Sequence, residues 1–202
     1  MSNAKPGKKF NVFTITQLAL FSAIIVILTV VPYTGYISYG IISITTIHIP
    51  VIIGSILLGP VCGGILGLVM GITSLLRAWY MPGSPLEQII FMNPLVSILP
   101  RIIVGIVAAL VFIGIMKLSK GKTAVSAGIA AAAGALTNTI LVLTMMNLLY
   151  AEELTSTFGK TIQTIFNSIF SINGLFEIVG AAVISIPIVL ALLKAKKRMR
   201  LQ

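Results

Sequence analysis

The stretch Pro94-Leu-Val-Ser-Ile-Leu-Pro100-Arg101-Ile-Ile-Val-Gly-Ile-Val-Ala-Ala-Leu-Val-Phe-Ile-Gly-Ile-Met116 carries one charge, Arg101, in an otherwise apolar run. A helix that crosses a bilayer uses roughly 20 such residues at about 1.5 Å rise each, so this run alone predicts a membrane-spanning helix. Comparable runs lie on either side of it. They extend from about Thr14 to Val31, stopped by Pro32; from about Thr46 to Leu58, closed by Gly59-Pro60; from Val61 to Trp79; from Thr123 to Tyr150; and from Ile165 to Leu193. The expected architecture is an all-α integral membrane bundle of six helices. The run from Thr46 is short, so it is expected either to tilt or to be continued by the Tyr36–Ser43 segment.

Composition agrees, since 57% of the 202 residues are hydrophobic, only 9% are charged, and Asp is absent. Six spans with short connections leave no room for a separate soluble domain. Residues 1–202 are therefore expected to form a single transmembrane domain, with 1–13 as a cytoplasmic N-terminal segment and 194–202 as a basic cytoplasmic tail. The net charge of +10 does not point to nucleic acid, because the cations lie in short clusters at the ends of apolar runs without a polar or aromatic face. They set orientation instead, since cytoplasmic loops carry the excess of Lys and Arg. With both termini inside, 11 of the 14 cations are cytoplasmic: Lys5, Lys8, Lys9, Lys117, Lys120, Lys122, Lys194, Lys196, Lys197, Arg198 and Arg200. Arg77, Arg101 and Lys160 then lie on the outer side, together with the acids Glu87, Glu152, Glu153 and Glu177.

Ionisable groups within a membrane are costly and mark cavities or pathways. On this topology His48, Arg77, Trp79, Asn93, Arg101, Asn138, Asn173 and Glu177 converge from five helices on one outward-facing region, which is what a pocket for a small polar solute requires. Each has a plainer role as well. His48 at a helix start is satisfied by backbone in many proteins, and without carboxylate or Cys companions at ligand spacing it does not make a metal site. Arg77 and Trp79 suit an interfacial anchor. Asn93 before Pro94 suits an N-cap. Arg101, beside a Pro100 expected to bend its helix, pairs either with Glu177 or with a substrate carboxylate. Asn138 and Asn173 suit interhelical hydrogen bonds.

Small residues four apart mark close helix contacts: Gly63, Gly67 and Gly71; Ala127, Ala131 and Ala135; and Ala19 and Ala23 with Ser22 beside them. The first two faces are expected inside the bundle. The third suits either the bundle or a partner subunit. No phosphate-binding Gly-Lys-Ser/Thr loop, paired cysteines, metal motif, nucleophile–base set, filter sequence or internal repeat is recognisable, and Cys62 stands alone. An enzyme or a channel is thus the weaker class, and no cofactor is implied.

Ser43-Ile-Thr-Thr-Ile-His48-Ile-Pro50-Val-Ile-Ile-Gly54-Ser-Ile-Leu-Leu-Gly59-Pro60, with Gly63 to Leu75, Asn93 to Arg101, Gly134-Ala-Leu-Thr-Asn138 and the Val30 to Tyr36 end of the first helix, resembles the substrate-binding S components of energy-coupling factor vitamin transporters. Within that family it is most similar to the pantothenate-specific members. The resemblance implies a non-catalytic bacterial plasma-membrane subunit that binds its vitamin from outside and works with a transmembrane T subunit and two ATPases, which hydrolyse the ATP. It further implies that Ala19 and Ala23 face the T subunit, that loops Thr34–Thr45 and Tyr80–Met92 lid the site, and that the subunit topples in the bilayer. Pantothenate's carboxylate suits Arg101, and its hydroxyls and amide suit Asn93, Asn138 and Asn173. Riboflavin asks for more stacking than 7% aromatic residues offer. Another vitamin such as riboflavin or folate, or a stand-alone carrier or channel, remains the alternative.

Overall fold

The computed structural model describes residues 11–31, 34–39, 42–82 and 85–199, and at 36–39, 42–44, 85–87, 151–171 and 199 the backbone alone. Lys5, Lys8, Lys9, Pro32 and Arg200, and the side chains of Glu87, Glu152, Glu153 and Lys160, lie outside the described residues. Helix α1 spans Val12–Val30, strands β1 and β2 span Tyr36–Tyr39 and Ile42–Thr45, and α2 spans His48–Leu58. Helices α3 (Pro60–Tyr80), α4 (Pro85–Phe91), α5 (Pro94–Leu118) and α6 (Thr123–Met199) follow.

Among the described residues five apolar helical stretches are long enough to cross a membrane: α1, α3, α5, and two limbs of α6 at Thr123–Tyr150 and Ile172–Arg198. The limbs run antiparallel, because Gly174 lies against Thr139 and Gly128 against Ile186. The expected helical bundle is therefore present, with α2 as its short sixth member. That helix was expected to tilt or to be continued by Tyr36–Ser43. The continuation does not exist: β1 and β2 pair antiparallel, Tyr36 opposite Thr45, as a hairpin rather than a further helical turn. The β-branched and aromatic residues of this segment suit a pleated ribbon better than a helix. At the other terminus α6 stays helical as far as Met199, so the described part of the basic tail extends the last limb.

Sequence signals account for the ends. Val31 adopts an extended conformation (φ −76°, ψ 121°), as a residue preceding proline does, and α1 stops there. Gly59 turns the chain from α2 into α3 at φ 95°, a left-handed value that glycine tolerates, and Pro60 starts α3 where its missing N–H is not needed. Asn93 caps α5, its side-chain oxygen accepting from the Leu95 N–H at 3.0 Å.

Every residue of α2 from His48 to Leu57 is buried. At about 1.5 Å per residue it covers roughly half the hydrocarbon thickness, enclosed by α1, α3, α5 and α6. Ile49, Ile52, Ile53 and Ile56 form the main core with Val104, Ala108, Phe112 and the Ala127, Ala131 and Ala135 face of α6. The glycine face of α3 also turns inward. Gly63 meets the backbone of Gly105, Gly67 meets the backbone at Arg101, and a Cβ on Gly71 would lie 2.7 Å from Ile98 Cα. The outer sides of α1, α3, α5 and α6 carry exposed Val, Ile and Leu, the surface that lipid covers.

Gly67→Val should force α3 and α5 apart and cost at least about 1–3 kcal/mol, the usual toll of overpacking. Gly114→Ala, where an added Cβ meets nothing within 4 Å, should be neutral. Thermal unfolding of both variants in detergent makes the comparison, and equal stability would mean that the seam tolerates separation.

Candidate binding site

The polar groups gather at the end of the bundle that carries the β1–β2 hairpin, opposite the Lys-rich end. His48 starts α2 with 1% of its surface exposed, and Arg101 (5%), Asn138 (8%) and Asn173 (8%) are also buried. Such burial is costly for polar side chains unless each finds a partner.

Arg101 lies in the second turn of α5. Its Nη1 donates to the Val96 carbonyl at 2.7 Å, and the guanidinium carbon sits 4.8 Å from the centre of the Phe91 ring. Phe91 belongs to α4, which is held over α5 by the Ser97 hydroxyl donating to the Phe91 carbonyl and by Ile90 packing with Val96 and Met146. The Glu177 carboxylate, on the second limb of α6, takes two hydrogen bonds from the root of the hairpin: the Thr45 N–H and the Thr45 hydroxyl, each at 2.6 Å. Thr45 precedes His48 by three residues, so this contact sets the Glu177 carboxylate at the start of α2.

Asn138 joins them from the first limb of α6. Ile52 of α2 packs over Gly134, where an added Cβ would lie 3.0 Å from its side chain. One helical turn nearer the hairpin, on the same seam, stand His48 and Asn138. Among the described residues neither ring nitrogen of His48 nor Oδ1 of Asn138 has a hydrogen-bond partner. The contact of Gly174 with Thr139 sets Asn173 at the level of Asn138 across the two limbs.

Three expected site residues have other surroundings. Trp79 is 51% exposed, because it continues the outward stripe of Ile72 and Leu76 while Gly71, Ser74 and Ala78 form the buried face of α3. Arg77 donates to the Thr29 carbonyl at 3.1 Å in the last turn of α1, where helix carbonyls lack intrahelical donors and a cation is favoured. Asn93 is engaged as the cap described above. Conversely, Thr45 and Phe91 touch the charged groups and were not singled out. Phe91 stands two residues before the Asn93-Pro94 helix start, a local hint, whereas nothing in the sequence pairs Thr45 with Glu177.

Ala19 and Ala23 are exposed on the outer side of α1, with Ser22 half-buried beside them, so this face does not pack within the bundle. The side chains of 36–44 and 83–87, which fall in the two expected lid loops, lie outside the described residues.

The fold and the polar cluster define a membrane-embedded helical bundle with buried polar groups gathered at one end. The chain belongs to the family of ECF transporter substrate-specific components, whose model matches residues 13–192. It is 32% identical over 208 residues to the Pantothenic acid transporter PanT of Lactococcus lactis subsp. cremoris, a match covering 94% of this chain and 98% of the relative. It is 36% identical over 116 residues to the Pantothenate transporter PanT of Leuconostoc mesenteroides subsp. mesenteroides, covering 55% and 53% of the two chains. The chain is thus a multi-pass subunit of a bacterial transporter, with a binding role and not a catalytic one.

Glu177→Gln keeps the shape of the Thr45 contact but removes its charge, and should weaken that tie by about 1–2 kcal/mol. Hydrogen exchange in the Ile42–Ile47 segment should accelerate while the interior of α3 is unchanged. Unaltered exchange at Thr45 would mean that the hairpin is held elsewhere.

Proposed function

We propose that this chain is the pantothenate-binding subunit of an ECF-type importer, with residues 1–202 acting as one transmembrane unit whose two termini are cytoplasmic. It takes the vitamin from outside at the hairpin end and delivers it with a T subunit and two ATPases. The observation that carries the reading is Arg101: a permanently charged guanidinium, 5% exposed, at the same end of the bundle as buried His48, Asn138 and Asn173. Two relatives of the chain bear the name of pantothenate transporters, and pantothenate offers the matching groups, one carboxylate with hydroxyls and an amide.

In this mechanism the substrate carboxylate meets Arg101, held in place by Val96 and stacked on Phe91. Glu177 ties the hairpin over the site through Thr45. The outward Ala19 and Ala23 face lets the T subunit approach α1 closely.

Arg101→Met should cost on the order of 2–5 kcal/mol of pantothenate binding, as for other truncated buried charge pairs. Panthenol, the alcohol lacking the carboxylate, supplies the control. Wild type should prefer the acid strongly and the variant should lose most of that preference; an equal preference in both proteins would remove Arg101 from the carboxylate site.

Replacing Ala19 and Ala23 together with Leu should reduce uptake severalfold while leaving pantothenate affinity near wild type. Loss of binding with an intact transporter complex would assign this face to the bundle instead.

A further inference from the structure

We infer that His48 and Asn138 form a second recognition point that reads a neutral hydroxyl or amide of the solute and so fixes which end enters first. The inference rests on the reading that Arg101 receives the carboxylate. Both side chains are more than nine-tenths buried, and His48 Nδ1 and Nε2 and Asn138 Oδ1 have no partner among the described residues. They stand on one seam, one turn beyond the Ile52–Gly134 contact.

The chemistry of these atoms selects what can complete them. An imidazole presents one N–H and one acceptor nitrogen, and Asn138 Oδ1 accepts only. The set offers one donor and two acceptors, so a solute end that donates twice and accepts once completes it, which describes two hydroxyls or a hydroxyl beside an amide. A carboxylate only accepts and would leave Oδ1 unmet, while an ammonium only donates and would leave the imidazole N–H unmet. Ala108 of α5 lies at the Gly134 level, 3.4 Å from the position of its added Cβ, and Arg101 is two turns from Ala108 towards the hairpin. His48 and Asn138 are one turn from that level. The solute therefore lies with its carboxylate nearer the hairpin and its hydroxyl-bearing end about one turn deeper.

Two affinity ratios test this on the purified full chain. Pantothenate against panthenol reads the carboxylate; pantothenate against N-(3,3-dimethylbutanoyl)-β-alanine, which keeps the acid and amide but lacks both hydroxyls, reads the deeper end. Wild type should favour pantothenate over the hydroxyl-free acid by at least about tenfold, since a buried site made for a hydroxyl rejects an analogue without one. His48→Leu and Asn138→Leu should each reduce that ratio to about twofold while the pantothenate-to-panthenol ratio, which also reports an intact site, stays at its wild-type value. Arg101→Met should do the reverse. If both Leu variants keep the full hydroxyl preference, or wild type has none, the inference is overturned. A carboxylate preference that survives Arg101→Met would instead overturn the reading beneath it. Should either Leu variant fail to fold, His48→Gln and Asn138→Ser are read by the same ratio: a fall in hydroxyl preference alone supports the inference, and no change in either overturns it.

Discussion

Lipid offers no hydrogen bonds, so a helix that stops inside a membrane must have both ends satisfied by protein. Helix α2 is such a helix, and the second limb of α6 attends to both of its ends. Near the start, Glu177 accepts the N–H and hydroxyl of Thr45, three residues ahead of His48, which also brings a negative charge to the positive pole of the helix. At the finish, Lys196 donates to the Leu57 carbonyl at 3.0 Å, a cation at the negative pole. These two contacts hold a roughly half-thickness helix at a defined height, and its first residue, His48, joins the buried polar cluster.

Enclosing α2 on every side asks its neighbours to come close to one another, and here the small residues matter. The Gly63, Gly67 and Gly71 face lets α3 touch the backbone of α5, while Ala127, Ala131 and Ala135 let α6 lie against the isoleucines of α2. Lipid-facing apolar surface gains little from association, so van der Waals contact at these seams carries the packing. The α3–α5 seam passes directly behind Arg101, whose carbonyl lies against Gly67. Packing and site geometry are therefore one problem: moving the seam moves the guanidinium.

Much of this was legible in the sequence because membrane helices announce themselves by length and composition. The long spans, the inward glycine and alanine faces and the Asn93 cap follow from periodicity and local chemistry. The hairpin was less accessible: Tyr36 to Thr45 is apolar enough to continue a helix, and its pairing is decided by β propensity and by the distant Glu177. For the site, depth along a helix was readable but direction was not. Trp79 and Ala78 differ by one residue, yet one faces outward and the other is fully buried. Arg77 found the end of α1, and Lys196, which looked like a topology signal, found the end of α2. Partners separated by tens or over a hundred residues leave no local pattern.

The main core lies towards the Lys-rich end from the polar cluster. There Ile53, Ile56 and Leu57 of α2 close against Phe112, Ala127, Ala130 and Val189 with every one of them buried. A polar solute pushed straight through would have to part close-packed side chains and shed its hydrogen bonds among groups that cannot replace them. The bundle is in that sense closed at its base, a plug and not a pipe, and open to change only at the polar rim.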